Sequence, residues 1–117
     1  MISLIFIILA SVCNAIMDNL SHHWSKSKFN KLNPYFWNPE LSWKNKYTLS
    51  KYIPDTLTDA WHIFKGLMAT LICFSIVLYT PMINNALDAV IIVIFGILTF
   101  NLFYNHILVN KKNGEQP

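Results

Sequence analysis

The apolar residues of this 117-residue chain fall into three blocks and lack the amphipathic periods of a soluble core. A helix crosses the hydrocarbon core of a bilayer with about 20 mostly apolar residues, and each block reaches that length with its flanks. The blocks cover residues 2–17, 63–79 and 86–109. The pattern therefore predicts an all-α integral membrane protein, a single domain with spans at approximately 2–20, 57–80 and 85–109.

The first block could be a span or a cleaved signal sequence. No lysine precedes it, so the positive region that opens a secretory signal is missing. If the helix continues, Ser11, Asn14, Asp18 and His22 fall within about 80° of one another. A signal sequence has no use for such a polar face. We therefore expect a transmembrane helix, with cleavage as the alternative.

The loop between the first two spans, residues 21–55, mixes six lysines with eight aromatic residues. This composition is typical of the lipid headgroup zone, where aromatic rings lie and lysines reach water. Two Asn-Pro pairs, at Asn33 and Asn38, are turn signals. We expect two short interfacial pieces, around residues 21–32 and 40–52, packed under the spans.

Part of this loop resembles known proteins. The box PYFWNPELSWKNKY, with MDNLSHHW before it and DAWHIFK after it, is similar to a group of small uncharacterised membrane proteins of bacteria and their phages. The resemblance covers roughly residues 17–65. It implies no activity, cofactor or partner.

Charge distribution predicts the orientation. All nine basic residues are lysine, which argues against a nucleic-acid partner, because planar arginine contacts are the usual means of reading bases. Six lysines lie in the loop, and Lys111 and Lys112 follow the third span. By the positive-inside rule, the loop and the C-terminus are cytoplasmic and the N-terminus is outside, in what we expect to be a bacterial inner membrane.

The ends of the second and third spans carry local signals. Thr56 and Asp59 form a capping-box pattern, so the second helix is expected to begin near Thr56, and Asp59 could serve only as a cap. The short connection at Pro81 predicts that the second and third helices are antiparallel neighbours. Gly96 would allow close helix contact, and Asp88 reads as a helix N-terminal charge.

Polar groups concentrate where the three spans meet the cytoplasmic boundary. Ionisable groups at membrane depth usually face other helices or a wet cavity, so a functional site is the default hypothesis. One arc of the second helix is polar at its start and lined by small residues beyond it, a face expected to pack against other helices: Asp59, His62, Gly66, Ala69 and Cys73. The predicted polar bundle face is Asn14, Asn101 and Asn105, and His106 has no assigned place.

Three functions compete for this cluster. In the first, a divalent metal (Zn, Fe or Mn) activates water or polarises a lipid-like substrate or its headgroup. Its predicted ligands are Asp18, His22, His23, Asp59 and His62. The predicted catalytic residues are Asp59, His62 and Lys65, the last as countercharge to a phosphate.

The other two functions need no metal. The polar groups could pair across helices in a non-enzymatic membrane subunit, an interaction protein such as a phage holin, or a homo-oligomer. They could also handle protons or ions in an oligomer, or hold haem between histidines. In all three the lipid bilayer is the immediate partner.

Overall fold

A computed structural model describes residues 1–110 of the chain, so Lys111 and Lys112 lie outside the described residues. The three long helices are α1 (Ile2–His22), α5 (Ala60–Val77) and α6 (Asn85–Leu102), the last continued by a π-helical turn, Phe103–Ile107. The loop contains α2 (Pro34–Trp37), α3 (Pro39–Ser42) and α4 (Asn45–Leu49), with 3₁₀ turns at Trp24–Lys26 and Asp55–Leu57.

Three of these helices are long and apolar enough to cross a membrane: Ile2–His22, Ala60–Val77 and Asn85–Ile107. The predicted all-α class with three span-length apolar helices is therefore confirmed. The loop differs from the two expected pieces, because each Asn-Pro pair begins a new short helix. The side chains of Asn33 and Asn38 accept hydrogen bonds from the N–H two residues on, and proline occupies the first helical position.

The second long helix begins later than predicted. Asp55–Leu57 forms a 3₁₀ turn, and Asp59 is the N-cap of α5, with extended backbone and a carboxylate that accepts from the His62 N–H. The expectation that the helix begins near Thr56 is therefore wrong. Aspartate caps a helix as well as threonine does, and burial of its side chain fixes this position as the cap.

The described helices lie in one layer, with α1 between α5 and α6. The Cα positions span 47 × 46 × 14 Å, which leaves room for a single thickness of helix. α1 contacts both other long helices, whereas α5 and α6 contact each other little, so the prediction that they are neighbours is wrong. The connection at residues 78–84 is long enough to bridge α1. Two hydrogen bonds between Ser3 and Ser75 hold one side of α1.

Gly96 holds the other side of α1, as predicted. A Cβ there would lie 3.3 Å from Ser11 Oγ and 3.7 Å from Ile7 Cγ2, so a side chain would require the Ser11 hydroxyl to shift. The layer has two ends. At the loop end lie residues 23–59 and 108–110, and at the turn end lie the start of α1 and residues 78–84.

The small-residue face of α5 does not pack against the other helices. Ala69 and Cys73 are exposed, so the prediction for these two positions is wrong. α5 turns a different stripe toward α1, with Ala60 and Ser75 buried at its two ends. Ala60 joins a core at the loop end, where apolar side chains of α1 meet loop aromatics.

Candidate functional site

The carboxylate of Asp59 is the centre of a polar cluster at the loop end. The residue is 1% exposed, and three donors surround it. Ser42 Oγ donates to Oδ2 over 3.0 Å, while the His62 N–H and His62 Nδ1 both lie near Oδ1, at 2.8 and 2.7 Å. The start of α5 adds the favourable positive end of its helix dipole. A buried carboxylate is therefore satisfied by hydrogen bonds and by its place in the helix.

Asp59 fixes the orientation of the His62 ring. Because the carboxylate is an acceptor, Nδ1 carries the proton, and a neutral His62 presents its lone pair at Nε2. Nε2 forms no hydrogen bond within residues 1–110, and the side chain is 23% exposed. An imidazole held in this way can accept a proton from, or donate one to, a molecule that reaches Nε2.

Trp61 and Lys65 complete the exposed side of the cluster. The Trp61 ring lies edge-on to the His62 ring, with centroids 5.1 Å apart. Lys65 Nζ lies 5.1 Å from the centroid of the Trp61 ring, four residues back along α5. The exposed Lys65 therefore points toward the loop end, as a lysine does when it reaches from a span to the headgroup level.

Residues of the PYFWNPELSWKNKY segment pack against the Asp59–His62 cluster from the loop. Ser42 supplies a donor to Asp59, and Asn45 Nδ2 donates to the Thr58 and Tyr35 carbonyls, which ties the loop to the residue before the cap. Trp37 stacks on Phe29 and lies beside Phe64 of α5, with ring centroids 5.1 and 6.3 Å away. These contacts give the residues of the PYFWNPELSWKNKY box a structural role.

Some of the predicted metal ligands on α1 lie on its other side, toward α6. The His23 ring stacks on Tyr104 with centroids 4.5 Å apart, and His23 Nε2 lies 3.4 Å from the Tyr104 hydroxyl. His23 Nδ1 is buried without a partner among residues 1–110. His22 is exposed. The structure thus divides the predicted cluster into two groups, with α1 between them.

Of the five predicted ligands, the structure joins Asp59 with His62. Within residues 1–110, no three His, Cys, Asp or Glu side chains are placed to hold a metal ion together. A shared site for Asp18, His22, Asp59 and His62 is not assembled. Metal binding stays a prediction, and Asp59 and His62 are hydrogen-bonded to each other.

The predicted bundle face is only partly covered by the described helices. Asn14 borders an open crevice of about 370 Å³ between α1 and α6, with Ser11 and Gly96. Asn101 and Asn105 are exposed, and the side chains of all three asparagines form no hydrogen bond within the described chain. His106 is also exposed.

Two buried polar residues were missed as structural centres. Asn19 is fully buried, donates to the Leu108 carbonyl over 3.3 Å and accepts from Ser27 Oγ, which fastens the end of α6 to the loop. Asp88, predicted as a helix charge, is fully buried and accepts from Tyr79 Oη and the Met82 and Ile83 N–H groups. For Asn19 the available signal was its place beside Leu20 on the apolar side of α1.

No protein-family model, curated protein or solved structure matches this chain. Its function is therefore argued from the geometry of the site.

Proposed function

We propose that this chain is an integral membrane protein that binds the phosphate headgroup of an anionic lipid or lipid-like substrate at the loop end. The observation that carries the proposal is the 2.7 Å contact between the buried Asp59 carboxylate and His62 Nδ1, which leaves Nε2 of the partly exposed ring without a hydrogen bond within residues 1–110. A structural cap needs only the bond to the His62 N–H. The additional contact with the ring supports the proposal that this is a site.

The neighbours of His62 suit a phosphate. Lys65 lies three residues further along α5, so its ammonium and the imidazole share one side of the helix. The ammonium supplies positive charge, His62 supplies a directed polar atom, and Trp61 is a ring of the type enriched at headgroup depth. α5 has 18 residues, or about 27 Å, which matches the hydrocarbon core and leaves His62 near its edge.

The same arrangement gives the site a capacity for acid–base chemistry. His62, oriented through Nδ1 by a carboxylate, can take a proton at Nε2 from a water molecule or a hydroxyl group. Lys65 would stabilise negative charge on the phosphoryl group beside it. A hydrolysis or transfer reaction at a lipid headgroup is therefore the class of reaction proposed for this site.

Lipid retention tests the proposal. The purified protein is exchanged into detergent with equal amounts of a phosphatidylglycerol and a phosphatidylcholine, and native mass spectrometry measures the bound lipid. We expect preferential retention of the anionic lipid, reduced at least fivefold in His62→Gln and Lys65→Gln. Lys51→Gln, an exposed lysine outside the site, is the matched control. Equal retention by wild type and both site variants would sink the proposal.

We also propose that the loop end is cytoplasmic, as the lysine distribution predicts. In a variant without Cys13 and Cys73, single cysteines at Tyr52 and Ile83, which are 82% and 65% exposed, report on the two ends. A membrane-impermeant thiol reagent added to intact cells should label position 83 and spare position 52. The reverse pattern would invert the orientation.

A further inference from the structure

The side chains of Asn14, Asn101 and Asn105 have no hydrogen-bond partner within residues 1–110, and lipid cannot supply one. Asn14 lies eight residues before the end of α1, and Asn101 six residues before the end of the third candidate span. At 1.5 Å per residue, the two amides are about 12 Å and 9 Å inside the apolar helices. Hydrocarbon offers no hydrogen-bond partner at that depth, so an unpaired amide is strongly disfavoured there.

The asparagines share one seam of the layer. Ser11 and Asn14 of α1 lie on one wall of the crevice, and Gly96 and Ile97 of α6 lie on the other. Asn101 follows Ile97 by four residues, so it continues the same row of α6, and Asn105 follows in the π-helical turn. Ser11 is already paired, since its hydroxyl donates to the Ile7 carbonyl, whereas the amides form no hydrogen bond within residues 1–110.

We propose that this seam is the surface through which two copies of the chain associate within the membrane. An amide carries both donors and an acceptor, so it pairs with a second copy of itself. A two-fold axis along the membrane normal brings identical residues together at identical depth, so Asn14 and Asn101 meet partners of the right chemistry without a second protein. The one-helix thickness of the layer leaves this seam open to an approaching copy.

Polar contacts of this kind are an established means of helix association in membranes, where interhelical hydrogen bonds replace the missing hydrophobic drive. The proposal is independent of the headgroup site, which lies at the start of α5 on the other side of α1. Loss of the dimer therefore need not affect lipid retention, and the two proposals can fail separately.

The test measures dimer formation in liposomes. Labelled full-length protein is reconstituted over a hundredfold range of protein-to-lipid ratio, and single-molecule photobleaching gives the dimer fraction. We expect wild type to dimerise, and Asn14→Leu/Asn101→Leu to weaken association roughly tenfold or more. Asn14→Gln, which keeps an amide, should retain most of the association.

Thr70→Val is the matched control, because Thr70 is an exposed polar residue of α5 whose hydroxyl already bonds to the Gly66 carbonyl. It should leave the dimer fraction unchanged. Circular dichroism and thermal unfolding confirm that each variant folds. Monomeric wild type across the whole range, or equal association in wild type and the double leucine variant, would overturn the proposal.

Discussion

Each end of the layer contains a buried aspartate near the start of a long helix, and the two aspartates have different roles. Asp59 and Asp88 both lie at the start of a long apolar helix, and each has three hydrogen-bond donors. The donors of Asp88 all come from residues 79–83, so this carboxylate closes one short turn. The donors of Asp59 are the Ser42 hydroxyl, 17 residues away in the chain, and the backbone N–H and ring Nδ1 of His62.

The two carboxylates differ in the chemistry of their hydrogen-bond partners. Around Asp88, the partners are backbone groups and a tyrosine that is neutral at physiological pH. Around Asp59, one partner is an imidazole whose second nitrogen, Nε2, forms no hydrogen bond within residues 1–110. An acidic residue near the start of a span can thus serve only to hold the local backbone in place. It becomes a candidate site when it also orients a titratable ring.

The largest expected effect comes from Asp59→Ala. It removes the cap of α5 and leaves Ser42 Oγ, the His62 N–H and the His62 ring without their acceptor, so we expect a loss of about 2–4 kcal/mol in the free energy of unfolding. Unfolding in detergent measures it. Asp88→Ala should also destabilise the fold, but without reducing anionic-lipid retention. Equal loss of anionic-lipid retention in the two variants would show that Asp59 is no more part of a lipid site than Asp88 is.

How far the sequence predicts this arrangement depends on whether the signal is local. The three long apolar helices and the close contact at Gly96 follow from composition and from a small residue within a span. The layer order does not, because α1 enters between two helices that are consecutive in the chain, and nothing local encodes that. Asp59 and His62 meet because they are three residues apart. The positions of Asp18 and His22 relative to that pair depend on the rotation of α1 about its own axis, which the sequence does not give.

Rotation also explains the errors on α5. The arc from Asp59 to Cys73 has the polar and small residues that pattern analysis selects, yet the stripe from Ala60 to Ser75 contacts α1. In a membrane either face is apolar enough for lipid, so hydropathy does not choose between them. The face of α5 that packs is determined by specific contacts such as the two hydrogen bonds between Ser3 and Ser75, which hydropathy does not predict.

A smaller effect is expected for Ser42→Ala, which isolates the link between the loop and Asp59. Oδ2 of the buried carboxylate would lose its donor, at about 1–2 kcal/mol in the free energy of unfolding. Ser50→Ala is the matched control in the same loop, since Ser50 is exposed, and should stay within about 0.5 kcal/mol of wild type. If the two variants are equally stable, the loop box does not support Asp59 through this bond.

The smallest effect belongs to Tyr79→Phe at the turn end, and its dependence on pH is diagnostic. The hydrogen bond to the Asp88 carboxylate, with burial as the second cause, raises the pKa of Tyr79. Because the folded-state pKa lies above the unfolded-state value of about 10, the hydroxyl contributes its full stabilisation below that pH and loses it as pH rises through the folded-state pKa. We therefore expect the difference in free energy of unfolding between wild type and Tyr79→Phe, measured from pH 8 to 11, to narrow at the alkaline end. Titration of the lysines does not change this difference, because both proteins contain the same lysines. A gap that stays constant or widens over this range would contradict a stabilising role for the tyrosine proton in the hydrogen bond to Asp88.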